Sequence, residues 1–406
     1  MPNLPITQGC TGCGACAQSC AKQAIKIVEN KEGFFMPQVD LAKCVDCELC
    51  EKRCHVLNRP EQDLSKQKTY AVINYEDRKK SSSGGAFSMF ARYVLGKGGV
   101  VFGAAYDPFP TLKHIAIESL DELDRLRGSK YVQSEIGDTY KQVKDLLKTN
   151  RMILYTGTPC QIGGLYAYLG GKRYEGQLIT LDLVCHGVPN QTTFRAYLEK
   201  LKKTKYFDSA EPRNFVAFRF RNLDSWSIVP AVKISKPDKW KLLNQEANVF
   251  MTAFFRGTLY RESCFNCQYA NCNRVGTFTI ADFWGIGKHG VKFSKGVAAG
   301  VSMVIDNQGL LEQMKPELHG CYIEERTLDE ARAENGNLNE PVGRRNERDT
   351  AIIDMLDENV SLMQYAQKYH MLDGFLKHLV KKLFKDVIYG LHLYNIYKTI
   401  SYKLEK

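Results

Sequence analysis

Eight cysteines near the start of the chain follow one spacing twice, and this repeat constrains the fold more than any other feature of the sequence. Each set reads C-x2-C-x2-C-x3-C, and the sets are Cys10, Cys13, Cys16 and Cys20, then Cys44, Cys47, Cys50 and Cys54. Three cysteines spaced in this way surround one cubane [4Fe-4S] cluster in a tight loop, while the fourth reaches a neighbouring cluster. The spacing therefore predicts two clusters, the first held by Cys10, Cys13, Cys16 and Cys54 and the second by Cys44, Cys47, Cys50 and Cys20.

A pair of zinc sites is the alternative for such a segment. Zinc sites use two cysteine pairs separated by a longer loop, whereas this run has the spacing of bacterial two-cluster ferredoxins. Proline usually follows the fourth cysteine of that run, and here Ala21 and His55 stand in its place, which concerns packing and leaves the ligands intact. Between the two sets, Ile25 to Val28 and Phe34 to Val39 predict a β-hairpin that covers the clusters on one side.

The composition narrows what the other cysteines can do. Fourteen cysteines in 406 residues are well below the roughly 8–10% of a disulfide scaffold. The chain has no apolar run of about 18 residues, and residues 1–9 have no features of a signal peptide, so we expect a cytoplasmic protein with free or metal-bound thiols. The net charge of +11 suits an acidic protein, a phosphate-bearing cofactor or an anionic membrane. Without a nucleic-acid-binding motif, we expect no nucleic-acid partner.

Beyond a polar stretch at residues 58–67, apolar runs alternate with helical segments, which predicts an α/β domain. The predicted strands are Gly99 to Ala105, Met152 to Tyr155, Leu178 to Val184, Phe215 to Phe220, Phe278 to Phe283 and Val297 to Ile305. A serine-glycine loop, Ser81 to Gly85, precedes a predicted helix over Ala86 to Leu95. Hydroxyls and amides at a helix start can bind a cofactor phosphate or simply cap the helix.

The remaining cysteines also fall near predicted strands. Cys160 and Cys185 each follow a strand, and a C-x2-C-x4-C group precedes another, formed by Cys264, Cys267 and Cys272. Loops at strand ends collect the ligand-binding residues of open α/β sheets, although a lone cysteine is most often inert. Four of these five thiols, brought together, would form a third iron-sulfur site, while Cys321 is expected to be structural.

Several short motifs in this region together resemble one known family. They are Ser83-Gly84-Gly85, Gly128 to Gln133, Gly157 to Gln161, Cys185-His186-Gly187, Cys264-x2-Cys267 and Ala281 to Gly285. Their order and approximate spacing over residues 69–340 resemble the beta subunits of coenzyme F420 hydrogenases and dehydrogenases, with the ferredoxin module in front. Members of that family bind FAD and an iron-sulfur cluster, and they pass electrons between clusters and an organic acceptor such as the deazaflavin coenzyme.

The resemblance implies a role for individual residues. The third cluster would be held by Cys160, Cys185, Cys264 and Cys267, with Cys272 as a reserve ligand. FAD would be lined by Ser83, Gly84, Gly85, Ser129, Lys130 and Tyr131, with Lys130 near its phosphates or ring. His186 would donate a proton to substrate, or would be an ordinary hydrogen-bonded core histidine. Asp282 and Trp284 would either pack the end of a strand or tune the potential of a neighbouring redox group.

The sequence therefore predicts an α+β ferredoxin-like two-cluster module at residues 1–60, followed by an α/β flavin-binding domain at residues 69–340. Residues 345–406 form a basic helical extension, whose amphipathic segment at residues 375–406 would contact an anionic membrane, a partner or its own domain. The leading hypothesis is an iron-sulfur flavoprotein oxidoreductase that passes electrons between the clusters and a small-molecule substrate through FAD, with ferredoxin or a larger redox complex as its partner. The alternative is a non-catalytic electron-transfer subunit of such a complex.

Overall fold

The computed structural model describes residues 2–6, 9–207, 214–221, 228–235, 238–244, 246–289, 292–295 and 300–372. The amphipathic segment predicted at residues 375–406 lies outside the described residues. No helix in the described part of the chain is long and apolar enough to cross a membrane.

The N-terminal module is built from two short helices and one hairpin. Its elements are α1 (Ala15–Ser19), β1 (Ile25–Glu29), β2 (Phe35–Val39) and α2 (Leu49–Lys52). Strands β1 and β2 pair antiparallel, with Ile27 opposite Pro37, which confirms the predicted hairpin. Gly12 has a φ of +67°, and a Cβ at this position would lie 2.6 Å from the carbonyl oxygen of Phe35. Glycine is therefore required where the first cysteine loop approaches the hairpin.

The rest of the described chain alternates strands and helices, which confirms the α/β class. Up to the middle of the chain the elements are β3 (Lys68–Asn74), α3 (Ala86–Gly96), β4 (Val100–Tyr106), β5 (Leu112–Ile117), α4 (Leu123–Leu126), α5 (Thr139–Leu146), β6 (Ile153–Gly157), α6 (Pro159–Tyr168), β7 (Leu178–Leu183) and α7 (Gln191–Lys202). The elements that follow are β8 (Phe215–Arg219), β9 (Ala231–Ile234), β10 (Lys239–Leu242), α8 (Val249–Arg256), β11 (Phe278–Asp282), β12 (Ser302–Asp306), α9 (Leu311–Met314), β13 (Cys321–Arg326), α10 (Leu328–Ala333), α11 (Arg348–Leu356) and α12 (Leu362–Lys368).

One large sheet organises the second part of the molecule. Among the described residues it has eight strands in the order β13-β3-β12-β11-β7-β6-β4-β5. Strands β4, β6, β7 and β11 pair parallel, while β12 pairs antiparallel with both β11 and β3. Strand β3 therefore runs in the same direction as the four parallel strands. Their carboxyl ends meet at one edge of the sheet, where open α/β sheets bind ligands.

Five of the six predicted strands coincide closely with β4, β6, β7, β8 and β11. The sixth prediction began at Val297, whereas the described strand β12 is Ser302–Asp306. Strand β8 lies in a separate sheet with β9 and β10, and the pattern did not reveal this separation. Strands β3, β5 and β13 were not predicted. Charged or polar residues interrupt the apolar runs of β5 and β13, which are the two edges of the large sheet, whereas β3 is an inner strand. Strands β9 and β10 of the small sheet were not predicted either.

Side chains of the central strands alternate between two cores. In β4, Val101 faces the core that contains Phe90 of α3, while Val100 and Phe102 face the core that contains Leu165 of α6. This alternation places helices on both faces of the sheet, as parallel strands require. The N-terminal module joins the second of these cores, and α7, α8, α11, α12 and the small sheet surround a third core.

Candidate metal centres and ligand pocket

The thiols predicted for the second cluster surround one cavity. This cavity has a volume of about 400 Å³, and its lining includes Cys20, Cys44, Cys47 and Cys50. The loop that carries Cys44 and Cys47 turns through Asp46 and Glu48, which have φ values of 49° and 58°. Cys47 is exposed, as is the neighbouring Val45. The four thiols therefore face a common space at the outer side of the N-terminal module.

The thiols predicted for the first cluster lie deeper. Cys10, Cys13, Cys16 and Cys54 lie near one another. If deprotonated, these thiols would raise the pKa of one another through charge repulsion. Burial raises the pKa of Cys10 and Cys13, and it raises the pKa of Cys16 to about 12. Such thiols stay protonated at neutral pH until a metal displaces their protons. Four cysteine thiols are the donor set that a [4Fe-4S] cluster uses.

A third group of thiols forms at the carboxyl edge of the large sheet. Cys160 lies in the first turn of α6, after β6, and Cys185 follows β7. Cys264 and Cys267 come from a short 3-10 turn, Glu262–Asn266, and the residue after it. Charges on these four cysteines would act on one another. Burial raises the pKa of Cys160 to about 11 and that of Cys264 to about 12.

Cys272 and Cys321 stand apart from this group. The thiol of Cys272 donates to the carbonyl of Leu338 at 3.3 Å, and its side chain packs against a different core. Charges that act on Cys272 come from Arg332, Arg274 and Asp329, and from no other cysteine among the described residues. Cys321 begins the edge strand β13. Among the described residues, no three His, Cys, Asp or Glu side chains lie close enough together to hold a single metal ion.

A buried ion pair fixes the loops that carry the third thiol group. Asp182 of β7 accepts from Arg274 at 2.7 Å, and it also accepts from the backbone amide of Gly276 at 2.8 Å. Arg274 in turn donates to the carbonyl oxygens of Tyr269 and Leu183. These bonds join the segment after Cys264 and Cys267 to the strand before Cys185. The ion pair was not predicted from the sequence, although a charged residue in the apolar run of β7 was a signal for it.

Helix α6 connects the third thiol group to the first. It carries Cys160 in its first turn and Gly164 one turn later, a rise of about 6 Å. A Cβ on Gly164 would lie 2.9 Å from both Cβ and Sγ of Cys13. A Cβ on Gly163 would lie 2.1 Å from the hydroxyl of Tyr269. The helix thus needs two glycines to pack against the N-terminal module, and this packing brings Cys13 of the first group against the helix that carries Cys160 of the third.

A cavity of about 320 Å³ opens beside the third thiol group, at the carboxyl edge of the sheet. Its lining includes most of the residues expected to bind FAD, namely Ser83, Gly85, Ser129, Lys130 and Tyr131. It also includes the expected proton donor His186, together with Cys185, Asp282 and Trp284. The serine-glycine loop reaches this cavity because it follows β3, whose carboxyl end lies at the same edge. The structure therefore brings the loop, the Gly128 to Gln133 segment and Cys185 of the third thiol group to a single pocket.

Two of the expected FAD residues differ from their predicted settings. Gly84 does not line the cavity; a Cβ there would lie 2.2 Å from the carbonyl oxygen of Val72 and 2.3 Å from the amide of Ser302. It is needed for the loop to pack on the sheet. Lys130 lines the cavity, but its ammonium group donates to the carbonyls of Leu126 and Arg127, which end helix α4. Burial lowers the pKa of Lys130 to about 7.

His186 lies in the pocket next to the thiol of Cys185. Burial lowers the pKa of its imidazole, while the negative charge of Asp282 acts in the opposite direction. Asp282 also accepts from Arg221 at 2.5 Å. His186 therefore lines the pocket with an imidazole whose pKa is lowered overall, because the effect of burial exceeds that of the Asp282 charge.

Unpartnered guanidinium nitrogens make the pocket suitable for an anion. Among the described residues, Nε and Nη2 of Arg221 and Nε of Arg78 are buried without a hydrogen-bond partner. Burial lowers the pKa of Arg78 to about 10, and the nearby charge of Arg221 adds to this effect. Arg221 lines the cavity, whereas Arg78 does not, and Asp282 is the carboxylate that pairs with Arg221. The two unpartnered nitrogens of Arg221 suit an anionic group such as the phosphate of a cofactor, although the sequence did not single out either arginine.

Two sequence families match the chain. Residues 9–57 match the 4Fe-4S dicluster domain. Residues 150–325 match the family described as the C terminus of the coenzyme F420 hydrogenase/dehydrogenase beta subunit. These matches confirm the resemblance expected from the cysteine spacing and the later motifs. They support [4Fe-4S] clusters and an oxidoreductase-related role, and they do not support FAD. No curated protein matches the chain.

One solved structure that matches is the xenon-derivatised F420-reducing [NiFe] hydrogenase complex from Methanosarcina barkeri. The sequence identity is 13%, and the match covers 74% of this chain and 92% of that chain. The TM-score is 0.41.

Proposed function

Because the chain carries a 4Fe-4S dicluster domain ahead of a coenzyme F420 hydrogenase/dehydrogenase beta-subunit domain, we propose that it is an iron-sulfur electron-transfer subunit of a larger redox complex. The observation that carries this proposal is the continuous line of cysteine groups. The exposed second group lies beside the first, since charges on Cys50 and Cys16 would act on each other. Helix α6 then joins the first group to the third, which borders the pocket.

In this proposal each of the three groups holds a [4Fe-4S] cluster, and electrons pass between the surface and the pocket. The N-terminal module supplies two clusters, and Cys160, Cys185, Cys264 and Cys267 supply the ligands of a third. The cluster at Cys20, Cys44, Cys47 and Cys50 exchanges electrons with the partner because it is the most exposed. We also propose that the chain is divided into the two-cluster module at residues 1–60, the α/β domain at residues 69–340 and the C-terminal extension at residues 345–406.

The pocket favours a second candidate function, an FAD-containing reductase of a small-molecule substrate. FAD supplies the conversion between one-electron and two-electron transfer. Arg221 would bind its phosphates, and Ser83, Gly85, Ser129 and Tyr131 would line it. His186 would then hold the proton delivered to the substrate. Arg221 lines the cavity and has two buried guanidinium nitrogens without a hydrogen-bond partner among the described residues, for which a subunit that only carries electrons has no use.

Iron content tests the three-cluster proposal. Anaerobically reconstituted protein should contain about twelve iron atoms per chain, four for each [4Fe-4S] cluster. The Cys264→Ser/Cys267→Ser variant should fall to about eight, because only the third cluster loses ligands. Cys272→Ser and Cys321→Ser are matched controls and should keep the full content. A wild-type value of about eight, unchanged in the double variant, would rule out the third cluster.

Flavin binding separates the two candidate functions. The reconstituted protein is incubated with FAD, and bound flavin is measured by absorbance after gel filtration. The reductase would be identified by two results together. The wild-type protein binds FAD and its flavin band is bleached by dithionite, whereas the Arg221→Gln variant does not bind FAD. If bleaching is slow in Cys160→Ser while FAD stays bound, electrons reach the flavin through the third cluster. Absence of flavin uptake in a protein with a full iron content would leave the electron-transfer subunit as the function.

A further inference from the structure

Arg261 lies between the first and the third cysteine groups. Its guanidinium group donates to the carbonyl oxygen of Cys10 at 3.2 Å and to that of Phe35 at 3.0 Å. It also donates to Oε1 of Gln133 at 2.9 and 3.1 Å, and Nη1 lies 3.3 Å from the sulfur of Met36. The side chain therefore extends from the second domain into the N-terminal module, beside the first cysteine loop.

This guanidinium carries a charge that no carboxylate balances. Arg261 is only 3% exposed, and all its hydrogen bonds among the described residues go to uncharged acceptors. The negative charges that act on it would come from Cys10 and Cys13 of the first group and from Cys160 and Cys264 of the third. A buried cation without a counter-charge is strongly unfavourable. Metal-bound thiolates of both groups would supply the missing negative charge.

Two other buried arginines of the described chain have the carboxylate partner that Arg261 lacks. Arg274 is paired with Asp182, and Arg348 is paired with Glu32 through two hydrogen bonds of 2.8 and 2.9 Å. Arg348 also lies over the ring of Phe34 at 5.6 Å, on which the guanidinium of Arg261 lies at 4.9 Å. The two arginines thus share one aromatic ring, but only Arg348 has a carboxylate partner.

We propose that Arg261 is a positioning residue that raises the reduction potentials of the first and third clusters above that of the second. Each electron that enters a cluster adds one negative charge. A buried cation nearby stabilises this reduced form more than the oxidised form, because the surroundings screen the charge poorly. The part that concerns the third cluster rests on the proposed function, whereas the part that concerns the first cluster does not.

This arrangement gives the line of clusters a direction. The cysteine charges that act most strongly on Arg261 belong to the first and third groups, and none of these cysteines lines the cavity formed by Cys20, Cys44, Cys47 and Cys50. Electrons taken up at that exposed cluster would be transferred to clusters of higher potential, and the pocket lies at the end of the line. The guanidinium group would thereby favour electron flow from the surface inward.

The test compares reduction potentials of the three clusters in reconstituted full-length protein, by dithionite titration followed with EPR. Arg261→Gln keeps hydrogen-bond donors but removes the charge, so the potentials of the first and third clusters should shift downward while that of the second stays unchanged. Arg261→Lys keeps the charge and should retain most of the wild-type potentials. Arg348→Met is the matched control for a loosened interface, and it should leave the order of the three potentials unchanged.

A second variant keeps the proposal testable if Arg261→Gln does not fold. Gln133→Glu places a carboxylate beside the guanidinium while Arg261 stays in place, and it should also shift the potential of the first cluster downward. Unchanged potentials in this variant, or equal shifts of all three clusters in Arg261→Gln, would overturn the proposal. An iron content of about eight with a downward shift of the first cluster would instead show that the third cluster is absent while Arg261 still acts on the first.

Discussion

Both ring nitrogens of His114 form hydrogen bonds within the protein, beside the pocket. Nε2 lies 2.8 Å from the carbonyl oxygen of Thr156, and Nδ1 lies 2.9 Å from the hydroxyl of Ser134. Because a carbonyl oxygen only accepts, Nε2 carries the proton and Nδ1 accepts from Ser134. The side-chain amide of Gln161 donates to the same hydroxyl at 3.1 Å. Protonation of Nδ1 would break this network, and burial lowers the pKa of His114 to about 4.

We therefore expect acid to destabilise the protein through His114. Between about pH 6.5 and pH 4 the unfolded chain binds a proton at this residue that the folded chain does not, so the free energy of unfolding falls as the pH falls. The loss should be about 2 kcal/mol at pH 5 relative to pH 7. His114→Gln should show a smaller loss in urea unfolding over this range, while His319→Gln, at an exposed position, should behave like wild type. Equal losses in wild type and His114→Gln would contradict the expectation.

The buried pair of Asp182 and Arg274 leads to a second prediction. Asp182→Asn leaves the guanidinium of Arg274 buried without a charge partner, which typically costs about 3–5 kcal/mol. Because the pair joins the loops of Cys185 and Cys267, iron should be lost from the third cluster before the other two. Asp145→Asn, which breaks an exposed pair with Lys148, should cost less than about 1 kcal/mol and keep all iron. Loss of iron from all clusters together would show that the pair acts on the whole fold.

Helix α6 carries the closest packing between the two parts of the molecule. Its first turn is capped by Thr158 and Gln161, which satisfy each other's backbone amides. Its second turn has glycines at 163 and 164 where the N-terminal module approaches. The helix therefore has a fixed start, and its second turn has no side chains where the N-terminal module packs against the backbone.

Gly164→Ala should disturb the first cluster. Alanine favours a helix by about 1 kcal/mol over glycine, so any loss of stability must come from the new methyl group, which would lie 2.9 Å from Cys13. We expect weaker EPR signals from the first cluster and a lower free energy of unfolding. Gly96→Ala, at the end of α3 with no atom within 4 Å of the new methyl group, should be neutral or slightly stabilising. Full cluster signals in Gly164→Ala would mean that the interface can move apart.

The sequence was most informative where chemistry depends on short spacing. The cysteine runs and the alternation of strands were readable because the ligands of one loop, or the residues of one strand, lie within ten positions of each other. Arg261 and Arg221 were not found, because their partners are distant: Cys10 lies 251 residues from Arg261, and Asp282 lies 61 residues from Arg221. Gly84 was assigned to a cofactor, because no local pattern separates a glycine that faces a ligand from one that faces a strand.

One ion pair joins the N-terminal module to a helix near the end of the described chain. Glu32, in the turn between β1 and β2, accepts from Arg348 of α11, which lies 316 residues later. Arg348 also donates to the carbonyl oxygen of Tyr260 at 2.9 Å. The N-terminal module is thus held by contacts with α6, with Arg261 and with the C-terminal helices. These contacts close a loop that includes nearly all the described residues.

Breaking this pair should lower the stability of the whole molecule. Arg348→Met removes a buried partner of the partly buried Glu32, so we expect a loss of about 2–3 kcal/mol in urea unfolding of the reconstituted protein. Arg344→Ala, which removes an exposed partner of Glu262, should cost no more than about 1 kcal/mol. If Arg348→Met unfolds with the wild-type midpoint, the module is held by the other contacts alone.

The cavity at Cys20, Cys44, Cys47 and Cys50 opens to the outside, whereas the other two cysteine groups are mostly buried. Dioxygen reaches metal centres in the order of their accessibility, so damage by air should begin at this outer site and proceed inward. A sample handled briefly in air would then no longer accept electrons from external protein donors, although it would keep the iron of the inner sites. Such a sample would be inactive with a protein donor and still respond to a small reductant that diffuses into the pocket.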